Sequence, residues 1–218
     1  MLRFNDVGIA YNNIPVFKNV SFEINQGDLV FITGKSGSGK STLLQLIYIN
    51  EKPDEGFIEF LNYSTEKIKK KELPFLRREI GIIFQDFKLL KDRNINDNLS
   101  FILEVTNVKK RERIKRINKV LTEVGLSHRR KSMPVELSGG EQQRIAIARA
   151  IINEPQIILA DEPTGNLDNE TSLEIFSLLK RINERGTTLI IATHNTELLN
   201  HVTKKRVLKI ENGLIREL

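Results

Sequence analysis

A glycine-rich stretch near the N-terminus has the composition and spacing of a phosphate-binding loop. It reads Gly-Lys-Ser-Gly-Ser-Gly-Lys-Ser and fits the pattern G-x-x-x-x-G-K-[ST]. Glycines let the backbone wrap closely enough for its N–H groups to face phosphate oxygens, and a following helix adds a favourable dipole. In this chemistry Lys40 reaches the β and γ phosphates and Ser41 ligates Mg²⁺. The predicted ligands are Gly34, Lys35, Ser36, Gly37, Ser38, Gly39, Lys40, Ser41 and the next residue, Thr42.

Two adjacent carboxylates follow an apolar run farther along the chain. The run at 157–160, Ile-Ile-Leu-Ala, ends in Asp161 and Glu162, so both acids emerge at the carboxyl end of a buried strand, where open α/β sheets bind ligands. Alone, this pattern is more often an ordinary strand terminus. Together with the phosphate loop it predicts a nucleoside triphosphatase, in which Asp161 belongs to the metal shell and Glu162 polarises the water that attacks the γ phosphate.

A second candidate anion site reads Leu-Ser-Gly-Gly-Glu-Gln-Gln-Arg at 137–144. Ser138 and the two glycines open a helical pattern, so free N–H groups at the helix start face outward. Taken alone, this is a serine N-cap followed by a helix. The octet, however, resembles the signature of the ATP-binding cassette family, and as in that family it shortly precedes the Asp161 strand. The resemblance implies that Ser138, Gly139, Gly140 and Glu141 bind the γ phosphate of ATP held by an opposite subunit, and therefore a homodimer that encloses two ATP.

The resemblance covers essentially the whole chain and assigns further residues one at a time. Tyr11 corresponds to the aromatic residue that stacks on adenine, and a packed surface tyrosine is the alternative. Gln85 corresponds to the glutamine that senses Mg²⁺, Asp168 to the loop that crosses to the partner subunit, and His194 to the histidine that contacts the γ phosphate. The predicted catalytic residues are thus Lys40, Glu162 and His194, and the predicted metal ligands are Ser41, Gln85 and Asp161.

The loop that contains Asp168 reads Gly-Asn-Leu-Asp, whereas its commonest form in the family begins Ser-Ala. This form is typical of ATPases that serve lipoprotein-release, macrolide-efflux and cell-division membrane proteins. Residues 73–86, their continuation to 98 and the block 160–168 resemble the FtsE family of cell-division ATPases. That resemblance implies an FtsX-like integral membrane partner, through which ATP-driven movement controls peptidoglycan hydrolysis. An ATPase of a lipoprotein-release or macrolide-efflux transporter is the alternative.

The apolar residues just after Gln85 allow two interpretations. Phe87, Leu89 and Leu90 either form the walls of a docking groove for the membrane partner or pack the neighbouring helices.

The elements that must position these residues follow from hydrophobic periodicity. Strand-like runs at 29–33, 157–160 and 189–193 alternate with helical patterns, one of them at about 170–184 between the last two strands, which predicts an α/β domain. Residues 111–124 place Ile114, Ile117, Leu121 and Val124 on one face of an amphipathic helix. With the family resemblance, we expect one cassette domain over 1–218: a P-loop NTPase fold with a RecA-like core sheet, an antiparallel β subdomain and a helical subdomain at about 86–152.

Charge and composition indicate which kinds of binding partner and which cellular location to expect. The formal charge is +6, carried by local clusters of Lys and Arg that are best explained as solvated faces, then as a surface for anionic lipid or a membrane partner, and least well as a nucleic-acid site. The absence of cysteine excludes disulfides and thiolate metal sites. Because no run of ~18 apolar residues and no signal-like start occurs, we expect a cytoplasmic protein that is peripheral on the inner face of the bacterial membrane.

Overall fold

The computed structural model describes residues 1–218 as ten strands and six α-helices. The strands are β1 (Leu2–Tyr11), β2 (Ile14–Ile24), β3 (Leu29–Thr33), β4 (Glu55–Phe60), β5 (Tyr63–Ser64), β6 (Ile80–Ile83), β7 (Ile157–Asp161), β8 (Thr188–Ala192), β9 (Arg206–Glu211) and β10 (Leu214–Glu217). The helices are α1 (Lys40–Ile47), α2 (Leu73–Arg78), α3 (Ile95–Val105), α4 (Lys110–Glu123), α5 (Gly139–Ile151) and α6 (Asn169–Asn183).

The strands form two sheets. One is four-stranded and antiparallel, with the order β2-β1-β4-β5, and the other is six-stranded, with the order β10-β9-β3-β8-β7-β6. In the larger sheet β9, β3, β8, β7 and β6 are parallel, and β10 closes the edge as an antiparallel hairpin. The predicted core sheet with an antiparallel β subdomain is confirmed. Because β3, β7 and β8 are parallel neighbours, the loops that follow them meet at one edge.

The central strands are apolar on both faces because each face packs against a separate core. In β3, Val30 and Ile32 pack with the antiparallel sheet and α1, whereas Leu29 and Phe31 pack with the helices on the opposite face. The strands β7 and β8 alternate in the same way and are almost fully buried. A period of two with both faces apolar is what a covered parallel sheet requires.

The region 86–152 contains α3, α4 and α5, and two 3₁₀ turns, Ser127–Arg129 and Pro134–Glu136, connect α4 to α5. The predicted apolar face of α4 is buried at Ile117, at Leu121 and at Val124, which caps the C-terminus of the helix, but Ile114 stays 44% exposed. None of the α-helices combines the length and the apolar composition that a membrane-spanning helix needs.

Candidate nucleotide-binding site

A cavity of about 570 Å³ opens at the carboxyl edge of the parallel sheet. Its walls include the loop after β3, the two acids at the end of β7 and His194, which lies just after the end of β8. The lining residues are Tyr11, Val16, Ser36, Gly37, Gly39, Lys40, Ser41, Thr42, Gln85, Asp161, Glu162 and His194. The structure therefore brings together most of the residues predicted for the ATP and metal site, which lie in five separate stretches of the chain.

The phosphate loop depends on glycine at two positions where a side chain would collide. Gly39 has a φ of 105°, and an added Cβ would lie 2.8 Å from Val16 Cγ1 and 2.9 Å from Phe17 Cζ. Gly34 has a φ of 153°, and its Cβ would approach Ser38 Oγ to 2.6 Å. Both conformations are ones that L side chains rarely adopt, so the loop path requires these glycines.

Lys40 begins α1 and is almost fully buried beneath the loop. Its Nζ donates to the carbonyl oxygens of Gly34 and Lys35, at 3.0 and 3.3 Å, and lies 4.0 Å from Glu162 Oε1. These contacts explain why Gly34 and Lys35 shape the site without lining the cavity. A lysine held by two carbonyls at the cavity floor presents a fixed positive charge to a phosphate chain.

Asp161 and Ser41 form the part of the cavity that suits a divalent cation. Burial raises the pKa of the Asp161 carboxyl, a hydrogen bond from Ser41 counteracts this, and the charge of Glu162 raises the pKa further. A half-buried carboxylate beside a hydroxyl supplies the hard oxygen ligands that Mg²⁺ prefers, with the remaining positions left to phosphate oxygens and water. The residues present fit this ion.

Glu162 is held more firmly than a typical strand-end acid. Its backbone has a φ of 45°, an uncommon left-handed conformation for a residue other than glycine, and its N–H donates to Ala192 O at 2.9 Å. Its carboxylate accepts hydrogen bonds from His194 N at 3.0 Å, from Thr193 Oγ1 at 3.1 Å and from His194 Nδ1 at 2.9 Å. The buried Thr193 was not predicted, because a threonine that ends a strand carries no sequence signal for this role.

The signature residues lie in a separate cavity of about 330 Å³. Ser138 is the N-cap of α5: its Oγ accepts from Glu141 N at 3.2 Å, and its N–H donates to Glu141 Oε2 at 2.9 Å. This reciprocal pair is a capping box. The backbone hydrogen bond from Ser138 lowers the pKa of Glu141, and Arg129 lowers it further.

Asp168 lies with the signature and not with Lys40. It caps α6, accepting from Thr171 N at 2.9 Å and Thr171 Oγ1 at 2.7 Å, and these hydrogen bonds lower its pKa. An added Cβ on Gly140 would lie 2.6 Å from Thr171 Cγ2, so α5 begins in close contact with α6. One chain thus holds two half-sites that line different cavities.

The predicted adenine-stacking residue and the apolar residues after Gln85 differ in their exposure. Tyr11 is 40% exposed at the cavity rim. Leu89 packs against the helical core, whereas Leu90 stays exposed and Phe87 is half-buried. An exposed apolar groove of about 500 Å³ lies instead between α2 and α3, lined in part by Phe101 and Val105. Sequence reasoning missed this groove, since its apolar walls come from two separate helices.

The two-sheet fold, the phosphate loop and the separate signature half-site define an ATP-binding cassette ATPase. The family model described as ABC transporter matches residues 17–165. The cell division ATP-binding protein FtsE of Bacillus subtilis is 46% identical over 99% of this chain and 94% of its own length, and FtsE of Escherichia coli K12 is 42% identical over 98% and 96%. The chain belongs to the ABC transporter family and, within it, to the FtsE group of ATPases.

The solved structures agree with this placement. The dimeric structure of the bacterial ABC transporter cassette MJ0796 superposes with a TM-score of 0.89 at 37% identity, covering 100% of this chain and 98% of that one. A dimeric post-hydrolysis state of MJ0796, bound to ADP and Pi, superposes with a TM-score of 0.87 at 36% identity. The chain is therefore an ATP-binding ATPase with the cassette fold.

Proposed function

We propose that this chain is the ATP-hydrolysing subunit of a bacterial cell-division complex, in which an FtsX-like integral membrane protein transmits its conformational change to control peptidoglycan hydrolysis. The observation that carries the assignment is the 42–46% identity to proteins named FtsE over nearly the whole chain. The protein then acts at the inner face of the membrane, attached through its partner.

The cavity supports a specific arrangement for ATP. Lys40 and the N–H groups of residues 36–42 bind the β and γ phosphates, and Tyr11 stacks on the adenine at the rim. Ser41, Asp161 and Gln85 hold Mg²⁺, which when bound neutralises charge on the phosphate oxygens. Burial and the charge of Glu162 disfavour the ionised carboxylate of Asp161, and a bound divalent cation would offset both, which supports its assignment as a ligand.

Glu162 orients the attacking water and accepts its proton. Its carboxylate is fixed by Thr193 and His194 at the cavity wall, 4.0 Å from the lysine that faces the phosphates. A base placed this close to the phosphate site has the geometry for in-line attack on the γ phosphate. His194 supplies a second contact to the γ phosphate. Its ring is largely exposed at the cavity, while its backbone N–H and its ring Nδ1 bind the carboxylate of Glu162.

Two chains are needed to complete each site. The amides at the start of α5 face solvent in their own cavity, and Asp168 lies beside them. In a head-to-tail dimer these groups reach the γ phosphate bound to the opposite Lys40, as electrostatic stabilisation of the developing charge requires.

The groove between α2 and α3 is the proposed docking site for a helix of the membrane partner. Phe101 and Val105 expose 38% and 61% of their surface, and Lys70, Arg77 and Arg78 line the same groove. Apolar walls with basic residues fit an amphipathic helix that carries acidic groups.

The deciding experiment is affinity purification of the tagged protein from detergent-solubilised native membranes, with mass spectrometry of the bound proteins. We expect a four-span FtsX-like protein with a large extracytoplasmic loop, and we expect Val105→Glu to lose it while keeping ATP hydrolysis. Leu214→Glu, on an exposed residue of β10, is the matched control and should retain the partner. Recovery of a lipoprotein-release or macrolide-efflux permease instead would contradict the cell-division role and leave the ATPase chemistry intact.

A further inference from the structure

Two residues of the segment that follows β6 and contains Gln85 adopt strained backbone conformations. Phe87 and Lys88 have φ values of 57° and 48°, two consecutive left-handed residues of which neither is glycine. Such conformations persist only when the surrounding structure imposes them. The conformation of this segment, which carries the predicted Mg²⁺-sensing glutamine into the cavity, is therefore fixed from outside.

Arg149 of α5 is the main external contact. Its guanidinium donates to Phe87 O at 2.7 Å and to Lys88 O at 2.5 Å, so one planar group binds both strained residues. Arg149 takes part in none of the ion pairs within 4 Å, and burial lowers its pKa while the charge of Asp86 raises it. Arg149 is partly buried, and its guanidinium binds two backbone carbonyls where an arginine more often binds a carboxylate, which indicates a positioning role.

Asn166 makes the contact on the other side. Its Nδ2 donates to Gln85 O at 3.1 Å, and an added Cβ on the preceding Gly165 would lie 3.2 Å from Gln85 Nε2. The Gly-Asn pair that distinguishes this chain from the commoner Ser-Ala form is thus in direct contact with Gln85. An alanine at position 166 could not donate this hydrogen bond.

Both contacts lead to the half-site that faces the partner subunit. Arg149 lies on the same helix as Ser138, about 16 Å along its axis at 1.5 Å per residue. The same helix also binds the turn after Glu162, because the fully buried Gln143 donates to Pro163 O at 2.6 Å. Asn166 is two residues before Asp168, which lines the signature cavity.

We propose that Arg149 and Asn166 are positioning residues that couple Gln85 in one ATP site to the signature and the 165–168 loop that contact the other site. The proposal rests on the head-to-tail dimer of the proposed function. When the start of α5 binds the partner's γ phosphate, the helix moves as a rigid body and Arg149 carries the backbone of 87–88 with it. Asn166 transmits the movement of the crossing loop to Gln85 directly.

The test compares Arg149→Lys and Asn166→Ala with two matched controls. Lysine keeps the charge but cannot bind two carbonyls with a planar fork. Arg185→Lys and Asn118→Ala change the same residue types at sites that pair only with Glu123 and Arg130. Asn166 is exposed, so its variant keeps the proposal testable should Arg149→Lys fail to fold.

Four solution measurements characterise the two test variants: ATP binding should be kept, and the other three should change together. Equilibrium binding of ATP without Mg²⁺ should stay within about twofold of wild type, because the Lys40 site is untouched. Turnover should fall about tenfold to a hundredfold, as small misplacements of a catalytic group do. The Mg²⁺ concentration for half-maximal turnover should rise and the Hill coefficient for ATP should fall toward unity, whereas loss of stability alone would change neither at temperatures well below unfolding.

Hydrogen–deuterium exchange reports on the segment without turnover. Amides of residues 84–90 should exchange faster in both test variants and at the wild-type rate in both controls. Unchanged exchange, Mg²⁺ dependence and cooperativity in folded variants would overturn the coupling. A wild-type protein that forms no dimer with ATP would instead overturn the dimer of the proposed function, and the coupling with it, so the two failures are distinguishable.

Discussion

Replacing Glu162 with Gln removes one charge from the catalytic site while keeping the size of the side chain. The carboxylate lies 4.0 Å from Lys40 Nζ, with the two side chains 12% and 9% exposed. At an effective dielectric constant of ~20, charges at this distance attract by at most about 4 kcal/mol. That attraction is released in Glu162→Gln, so Lys40 becomes freer to bind phosphate and ATP affinity should be kept or increased.

The fold should tolerate the change. Thr193 Oγ1 and the His194 ring can each act as donor or acceptor, so both can adapt to an amide in place of a carboxylate. Turnover should nevertheless fall by about 10² to 10⁴, the usual contribution of a positioned general base, which corresponds to about 3–5 kcal/mol of barrier.

The assay combines three measurements on the variant. Phosphate release gives turnover, equilibrium binding gives ATP affinity, and sedimentation with ATP gives the dimer fraction. We expect slow turnover, retained binding and an ATP-bound dimer that persists. Glu66→Gln, the same change at an exposed residue, should behave as wild type. Unchanged turnover in Glu162→Gln would remove Glu162 from the catalytic role and refute the reasoning.

Further predictions concern binding, metal, signature and assembly. Tyr11→Ala should weaken ATP binding by ~1–3 kcal/mol in a titration if the ring stacks on adenine, and Tyr11→Phe should not. Asp161→Asn should abolish Mg²⁺-dependent turnover yet raise the melting temperature of the metal-free protein at neutral pH. The reason is that the folded state holds the Asp161 proton more tightly than the unfolded chain, so stability falls as pH rises above the ordinary pKa of 3.8. Ser138→Ala should cost about 1 kcal/mol and ~2–4 °C of melting temperature, as should the N-cap control Asn94→Ala, but only Ser138→Ala should slow turnover further than its stability explains. Turnover should rise faster than linearly with protein concentration, and a linear rise down to monomeric dilution would contradict the composite site.

The central α/β elements could be predicted closely from the sequence. The strand at 29–33 was predicted with the bounds observed, and the helix expected at about 170–184 is α6, Asn169–Asn183. Both have strong periodicity and clear boundaries: β3 is apolar throughout, and Asp168 is an N-cap residue. Ile114 was expected on the apolar face of its helix but is exposed. The spacing of apolar residues shows which face of a helix is covered, but not how far the neighbouring helices extend along it.

The residues of the candidate site likewise fall into those that the sequence identifies and those that only the structure reveals. Lys40, Asp161 and Glu162 are recognisable because phosphate binding constrains residue types at fixed spacing, and parallel strands bring such motifs to one edge.

Arg149 and Asn166 bind backbone carbonyls, which every residue possesses, so their partners leave no mark on the sequence at 85–88. Such contacts are specified by the path of the chain in space, and the two left-handed residues that need them show no glycine or asparagine that would have indicated a turn. Motifs of this kind therefore identify the groups that touch the nucleotide, whereas the groups that couple one site to the other become visible only when α5, the loop after β6 and the loop before α6 are seen packed together.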